Sequence, residues 1–245
     1  MALLRSLLTY VLIALYLLVV GTFALLVVVP LGLKDLLFRL GHGGVALALG
    51  TAGIRYRVIG AENLPPGTAV VFCSNHQSNV DPPVLFRALH PRLHVLYKAE
   101  LRKLPVLGRV LEAGGFVPVQ RDDRDAAFAS IDLAVDSIRS GNSFLIFPEG
   151  TRSRTAALLP FKKGGFVMAL KAQAPIVPVA IMGGRNAMRK GSAIVHPVDV
   201  TVRIGQPVET RGRDVEDRDE VIAEVRQRIE ALLRDGRGAL DARTP

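Results

Sequence analysis

Tryptophan is absent, aromatic residues make up only 6% of the 245 residues, and cysteine occurs once. A single cysteine excludes an intramolecular disulfide framework, and Cys73 lies in the apolar run 69–73, where it reads as a small buried hydrophobe. Acidic residues are the scarcer sign: 22 Asp plus Glu against 31 Lys plus Arg gives a net charge of +9. That balance favours an anionic partner, whether nucleic acid, an acidic membrane surface or a phosphorylated substrate. The few aromatics, and the lack of any zinc-finger, basic-zipper or aromatic RNA-binding signature, argue against nucleic acid. No Cys and His cluster has metal-ligand spacing, so a metal is not implied. No G-x-S-x-G elbow announces a serine nucleophile.

Charge of either sign is missing between Arg5 and Lys34. The run 7–29 would reach roughly 35 Å as a helix, against a hydrocarbon core of about 30 Å. It is too long for the apolar region of a signal peptide and no small-residue cleavage site follows it, so a membrane anchor is expected. Pro30 and Gly32 interrupt it, and a weaker apolar segment follows at 33–49, broken by Gly41-His42-Gly43-Gly44. A helical hairpin is therefore an alternative to one spanning helix.

Beyond residue 50 short apolar runs alternate with amphipathic ones. Segments 54–59, 68–73, 93–97, 116–119, 143–147, 176–181 and 200–204 are rich in Val and Ile and bounded by Gly, Pro or Asn, and read as strands. Phe128, Ile131, Val135 and Ile138 share one helical face within 125–139, and 162–172 is a second candidate helix. The expected fold is α/β, a mixed, largely parallel sheet flanked by helices. Chemistry is then expected in loops at strand ends. Val221, Val225, Ile229 and Leu232 mark a carboxyl-terminal amphipathic helix. The chain divides into 1–50, a membrane-anchoring segment; 51–210, the α/β domain; and 211–245, the amphipathic helix and tail.

Two strand ends carry reactive groups. SNHQSNVDPP, residues 74–83, places His76 five residues before Asp81. On a straight helix the pair would stand about 140° apart, so only a loop can join them. Asp81 before Pro82 also reads as a helix N-cap, with Pro82 holding it extended. A carboxylate on one ring nitrogen leaves the other free to accept a proton. The second cluster, FPEGTRS at 147–153, gathers Glu149, Gly150, Thr151 and Arg152 at a strand end, although Pro148 and Gly150 also suit an ordinary turn. Arg152 is suited to a phosphate. Lys98 and Arg121 follow two other strand candidates, so three strand ends offer cations to one anion.

The NHQSNVD loop, the segment 115–121, FPEGTRS and the run 174–181 (APIVPVAI) resemble, in order, the four blocks of the glycerolipid acyltransferase family, in particular its bacterial 1-acyl-glycerol-3-phosphate acyltransferases. Gln120 departs from the pattern of the second block. The resemblance implies that His76 acts as base and Asp81 as its partner, moving an acyl group from acyl-CoA or acyl carrier protein onto the free hydroxyl of lysophosphatidic acid to give phosphatidic acid. It implies no cofactor beyond that co-substrate. It places Lys98, Arg121, Glu149, Gly150, Thr151 and Arg152 around the acceptor phosphate, with Glu149 expected to position Arg152 or a backbone turn. It also implies membrane lipids as partners and a place on the bacterial inner membrane, with the site facing the cytoplasm. A different acceptor, glycerol 3-phosphate or another lysolipid, stays open, as does a lipid esterase using Ser74 or Ser78. A non-catalytic membrane adaptor would need only the anchor and the basic surface.

Overall fold

The computed structural model describes residues 1–120, 124–155, 157–189 and 191–241. Uninterrupted apolar runs, rather than alternating ones, form the middle of the sheet, because those strands are covered on both faces. The strands are β1 (Ile54–Ile59), β2 (Val71–Ser74), β3 (Leu93–Lys98), β4 (Val117–Val119), β5 (Ser143–Ile146), β6 (Ile176–Met182) and β7 (Val198–Ile204). They join in the order β1-β7-β6-β2-β5-β3-β4, parallel at every pairing except β6 with β7. Every residue of β2, β5 and β6 is buried, whereas β1 at the edge alternates. All seven strand segments expected from sequence are present, with ends moved by up to three residues.

The helices are α1 (Ala2–Val28), α2 (Lys34–Ala52), α3 (Asp81–Ala88), α4 (Leu107–Ala113), α5 (Arg124–Arg139), α6 (Gly164–Ala172), α7 (Gly184–Ala187) and α8 (Arg218–Asp241). Alternate residues of the central strands point to opposite faces. Phe72, Leu145, Val177 and Val179 meet α2 and α3 through Phe38, Leu49, Val84 and Leu85. Val71, Cys73, Phe144 and Ile146 share the opposite core with Val135 and Ile138 of α5 and Phe166 of α6. The amphipathic stripe of α8, Val221, Val225, Ile229 and Leu233, closes that second face. Burial, with Glu149 adding to it, pushes the Cys73 thiol well up, which keeps it an inert core residue.

The amino-terminal segment is a hairpin. Gly32, at φ 67°, turns the chain between α1 and α2. The glycine-rich stretch 41–44 does not break α2, contrary to expectation, and Gly43 and Gly44 serve packing: a Cβ at Gly44 would stand 2.8 Å from the Tyr16 ring and one at Gly43 2.9 Å from its hydroxyl. Tyr16 then donates to the Leu40 carbonyl at 2.8 Å. Ser6 accepts from the Val195 amide at 2.8 Å and Tyr10 donates to the Ala193 carbonyl at 2.6 Å, so one side of α1 is docked on the domain. Its other side leaves Leu4, Leu8, Val11, Leu15 and Leu18 exposed. Among the described residues α1 alone is long and apolar enough to cross a membrane. An apolar face of that extent on an otherwise folded domain marks membrane association.

Candidate active site

The parallel strands deliver their carboxyl ends to one edge of the sheet, where loops after β2, β5 and β6 converge. The loop after β2 is built around Asp81, whose side chain is 1% exposed. Its Oδ2 accepts from the Gln77 amide at 2.6 Å, the Ser78 amide at 2.7 Å and His76 Nδ1 at 3.0 Å. A buried carboxylate needs such compensation, which three donors supply at Oδ2, whereas Oδ1 is buried with no hydrogen-bond partner among the described residues. The Nδ1–H donation fixes the tautomer of His76 and leaves Nε2 as an acceptor.

The capping role expected of Asp81 is not what the structure shows. Asp81 is itself helical, Val80 is the N-cap, and no side chain caps α3. Pro82 and Pro83 lack N–H groups, so the first turn offers few donors to cap, and the carboxylate turns back to the loop instead.

The loop after β5 grips His76 by its backbone. Its amide donates to Glu149 Oε1 at 2.8 Å and its carbonyl accepts from the Ser153 amide at 2.8 Å. Glu149 Oε2 accepts from the Leu159 amide at 2.9 Å, so one buried carboxylate ties the β2 loop to the returning chain. Phe147 stacks on the His76 ring with centroids 4.2 Å apart, setting its plane. Asn75 extends the sheet past its last residue: its amide group donates to the Ile181 carbonyl at 3.0 Å and accepts from the Ile181 N–H at 2.8 Å. Gly184, just after β6, backs directly onto Asp81 Oδ1, so that any Cβ there would collide with it.

Of the expected phosphate ligands, Gly150, Thr151 and Arg152 lie in the loop that holds His76, with Arg152 half-buried. Gly150, at φ 66°, has no Cβ to obstruct Lys162, whose Cε passes 2.8 Å from where one would be. Lys162 was not among the residues expected from sequence, since only the return of the chain brings it across Gly150. Asn75, Phe147 and Gly184 were missed for the same reason: each acts through a contact to a distant segment. Lys98 ends β3 in an exposed pair with Glu100 at 2.9 Å. Arg121 lies outside the described residues. The hydroxyls of Ser74 and Ser78 are fully buried and donate to the carbonyls of Asn75 and Met188, which removes them as hydrolase nucleophiles.

Beside the dyad, Pro82 and Pro83 open onto an apolar cavity of about 470 Å³. It runs between the hairpin and the domain, past Tyr16, Phe86, Tyr97 and Phe116.

An imidazole held by a buried carboxylate, with a cationic loop and an apolar cavity on either side, is an arrangement suited to base-assisted chemistry on an amphiphile. A family model described as Acyltransferase matches residues 55–182, more than half of the chain. The chloroplast 1-acyl-sn-glycerol-3-phosphate acyltransferase of Brassica napus is 37% identical over 151 residues, which is 61% of this chain and 44% of that one. The human 1-acyl-sn-glycerol-3-phosphate acyltransferase alpha is 31% identical over 194 residues, 77% of this chain and 69% of that one. The crystal structure of the 1-acyl-sn-glycerophosphate acyltransferase PlsC of Thermotoga maritima superposes with a TM-score of 0.73 at 25% identity, over 96% of each chain. The chain therefore belongs to the acyltransferase family. It spans about half the length of several curated relatives, 44%, 60% and 47% in three of them.

Two substitutions test the supports of the dyad. Gly184→Ala forces Asp81 away from His76, and a misplacement near 1 Å lowers kcat by ~10²-fold with the fold retained. Steady-state kinetics beside a thermal melt reads this, and unchanged kcat would contradict the contact. Glu149→Gln leaves one of two backbone N–H groups facing a donor, which costs about 1–3 kcal/mol of stability. Burial raises the Glu149 carboxyl above its ordinary 4.5, while the Leu159 and His76 amides pull it back. The folded protein thus holds this proton more tightly than the unfolded chain, so the group's contribution to stability is greatest below the unfolded value and declines as pH rises through the folded one. Denaturant titrations across that range should show this slope in the wild type and lose it in Glu149→Gln. Equal stability at every pH would show that Glu149 braces nothing.

Proposed function

We propose that the protein transfers a fatty acyl group from an acyl thioester to the free hydroxyl of 1-acyl-glycerol 3-phosphate, forming phosphatidic acid. The observation that carries this reading is the His76–Asp81 dyad opening between a cationic loop and an apolar cavity. His76 Nε2 removes the acceptor hydroxyl proton as the oxygen attacks the thioester carbonyl carbon. Asp81 stabilises the imidazolium that results, and collapse of the tetrahedral intermediate breaks the C–S bond. The departing sulfur takes the proton back from His76, so no acyl-enzyme is needed. General-base assistance of this kind is worth about 10²- to 10⁴-fold in rate.

Arg152, with Lys162 across Gly150, holds the phosphate of the acceptor, and Thr151 adds a hydroxyl beside it. Glu149 is a positioning residue, because both of its oxygens are committed to backbone amides. The cavity bordered by Pro82 and Pro83 takes a fatty chain. Either coenzyme A or acyl carrier protein supplies the acyl group, and the thioester is a co-substrate rather than a cofactor. The exposed face of α1 seats the protein in a bilayer surface, the cytoplasmic side of a bacterial inner membrane, with the net +9 adding attraction to anionic headgroups.

Purified protein given acyl-CoA and lysophosphatidic acid should release thiol and form phosphatidic acid in equal amounts. His76→Ala should lower that rate by about 10²-fold or more. Free fatty acid as main product, or an unaffected His76→Ala variant, would overturn the mechanism. Arg152→Ala should raise KM for the phosphorylated acceptor by roughly tenfold, the loss expected for a charged hydrogen bond, with little change for the donor. An effect confined to the donor would reassign Arg152.

A further inference from the structure

On the far side of the α2–α3 wall from the apolar cavity lies an open cleft of about 570 Å³, lined by Arg39, His42, Arg87 and His90 with their neighbours. Every polar side chain facing it is a donor or a titratable ring, and none of its lining residues is acidic. His42 Nε2 lies 2.9 Å from the Pro91 carbonyl, which can only accept, so Nε2 carries the hydrogen. Its Nδ1 is buried without a hydrogen-bond partner among the described residues. The ring is held flat on Phe86, with centroids 4.4 Å apart, and so cannot turn Nδ1 out to water without losing that stack. His90 Nδ1 accepts from the Arg92 amide at 3.1 Å, so its Nε2 also carries the hydrogen.

The carboxylate nearest in the chain, Asp35, is paired with Arg92. Arg39 and Arg87 are exposed and make no ion pair among the described residues. A plain structural reading gives Arg87 the carbonyls at the end of α3 as its partner. That helix end carries only about half a negative charge, which two guanidinium groups exceed several-fold. Burial holds the His90 ring below its ordinary range, a hydrogen bond to the Arg92 backbone opposes this, and the charges of Arg92 and His42 add to the lowering, a part that a bound anion would oppose.

We propose that this cleft is a second anion site, separate from the His76 centre, that binds a phosphate group between Arg39, Arg87 and His90, with the His42 ring forming part of its wall. Leu36 stands one turn before Arg39 on the same side of α2 and, like Leu33, is exposed and apolar. The cleft is thereby continuous with the lipid-facing surface of the hairpin, which suits a phosphate borne on a lipid headgroup, although free phosphate has the same chemistry. Phe86 connects the two sides of the wall, because it stacks on His42 and also lines the apolar cavity.

Ring resonances of His42 and His90 in the detergent-solubilised full chain provide the test. They should move saturably on titration with dihexanoylphosphatidic acid, and not with dihexanoylphosphatidylcholine or with chloride at equal ionic strength. The same movement with inorganic phosphate identifies a free-anion site, and movement with the lipid alone identifies a headgroup site. Arg39→Gln and Arg87→Gln should each weaken binding by about tenfold or more while His76 still responds to lysophosphatidic acid. Rings that respond to neither phosphate, or to chloride equally, would overturn the proposal.

Discussion

The structure of the catalytic edge depends on one buried oxygen, Asp81 Oδ2. Three donors converge on it, two amides of the loop and the imidazole of His76. A carboxylate almost wholly removed from water is expensive unless its lone pairs are filled. The loop after β2 is wound so that three donors meet on Oδ2, while Oδ1 is buried against Gly184 with no hydrogen-bond partner among the described residues, and that shape aims the ring. Asp81 therefore both holds the loop and orients the His76 ring, and the proline pair behind it leaves it free of a capping role.

A second level of constraint links motifs that are far apart in the chain. His76 is held by both its backbone groups to the loop after β5, and Asn75 is stitched to the end of β6. These bonds are made possible by the parallel sheet, which brings three carboxyl-terminal strand ends side by side. The strands themselves are held by cores on both faces, so the positions of the loops are inherited from burial some distance away. An active centre on such supports needs little reorganisation when a proton moves.

The amino-terminal hairpin joins the water-soluble layers to lipid. Its docked side uses three hydroxyls, Ser6, Tyr10 and Tyr16, to pair with backbone groups, whereas the free side of α1 presents apolar chains. The cavity beside the dyad lies between this hairpin and the domain, lined by side chains of both. Membrane association and the shape of the cavity thus both depend on how the hairpin packs against the domain.

The strands, the amphipathic stripes of α5 and α8, the apolar amino terminus and the dyad itself were legible in the chain, since each is a local pattern of residue type and spacing. Burial periodicity and the order of the motifs suffice for those. The direction of Asp81 was not, because a cap and a back-turned carboxylate share the same local sequence and differ only in which donors surround them. The glycines 41–44 looked like a helix break for a related reason: local propensity lowers helix stability there, and the Tyr16 ring that packs into the gap belongs to another helix. Glu149, Lys162, Asn75 and Gly184 took their places only when loops after different strands met. Spacing along a chain carries information about neighbours within a turn or a strand, and tertiary structure decides every contact made across the sheet edge.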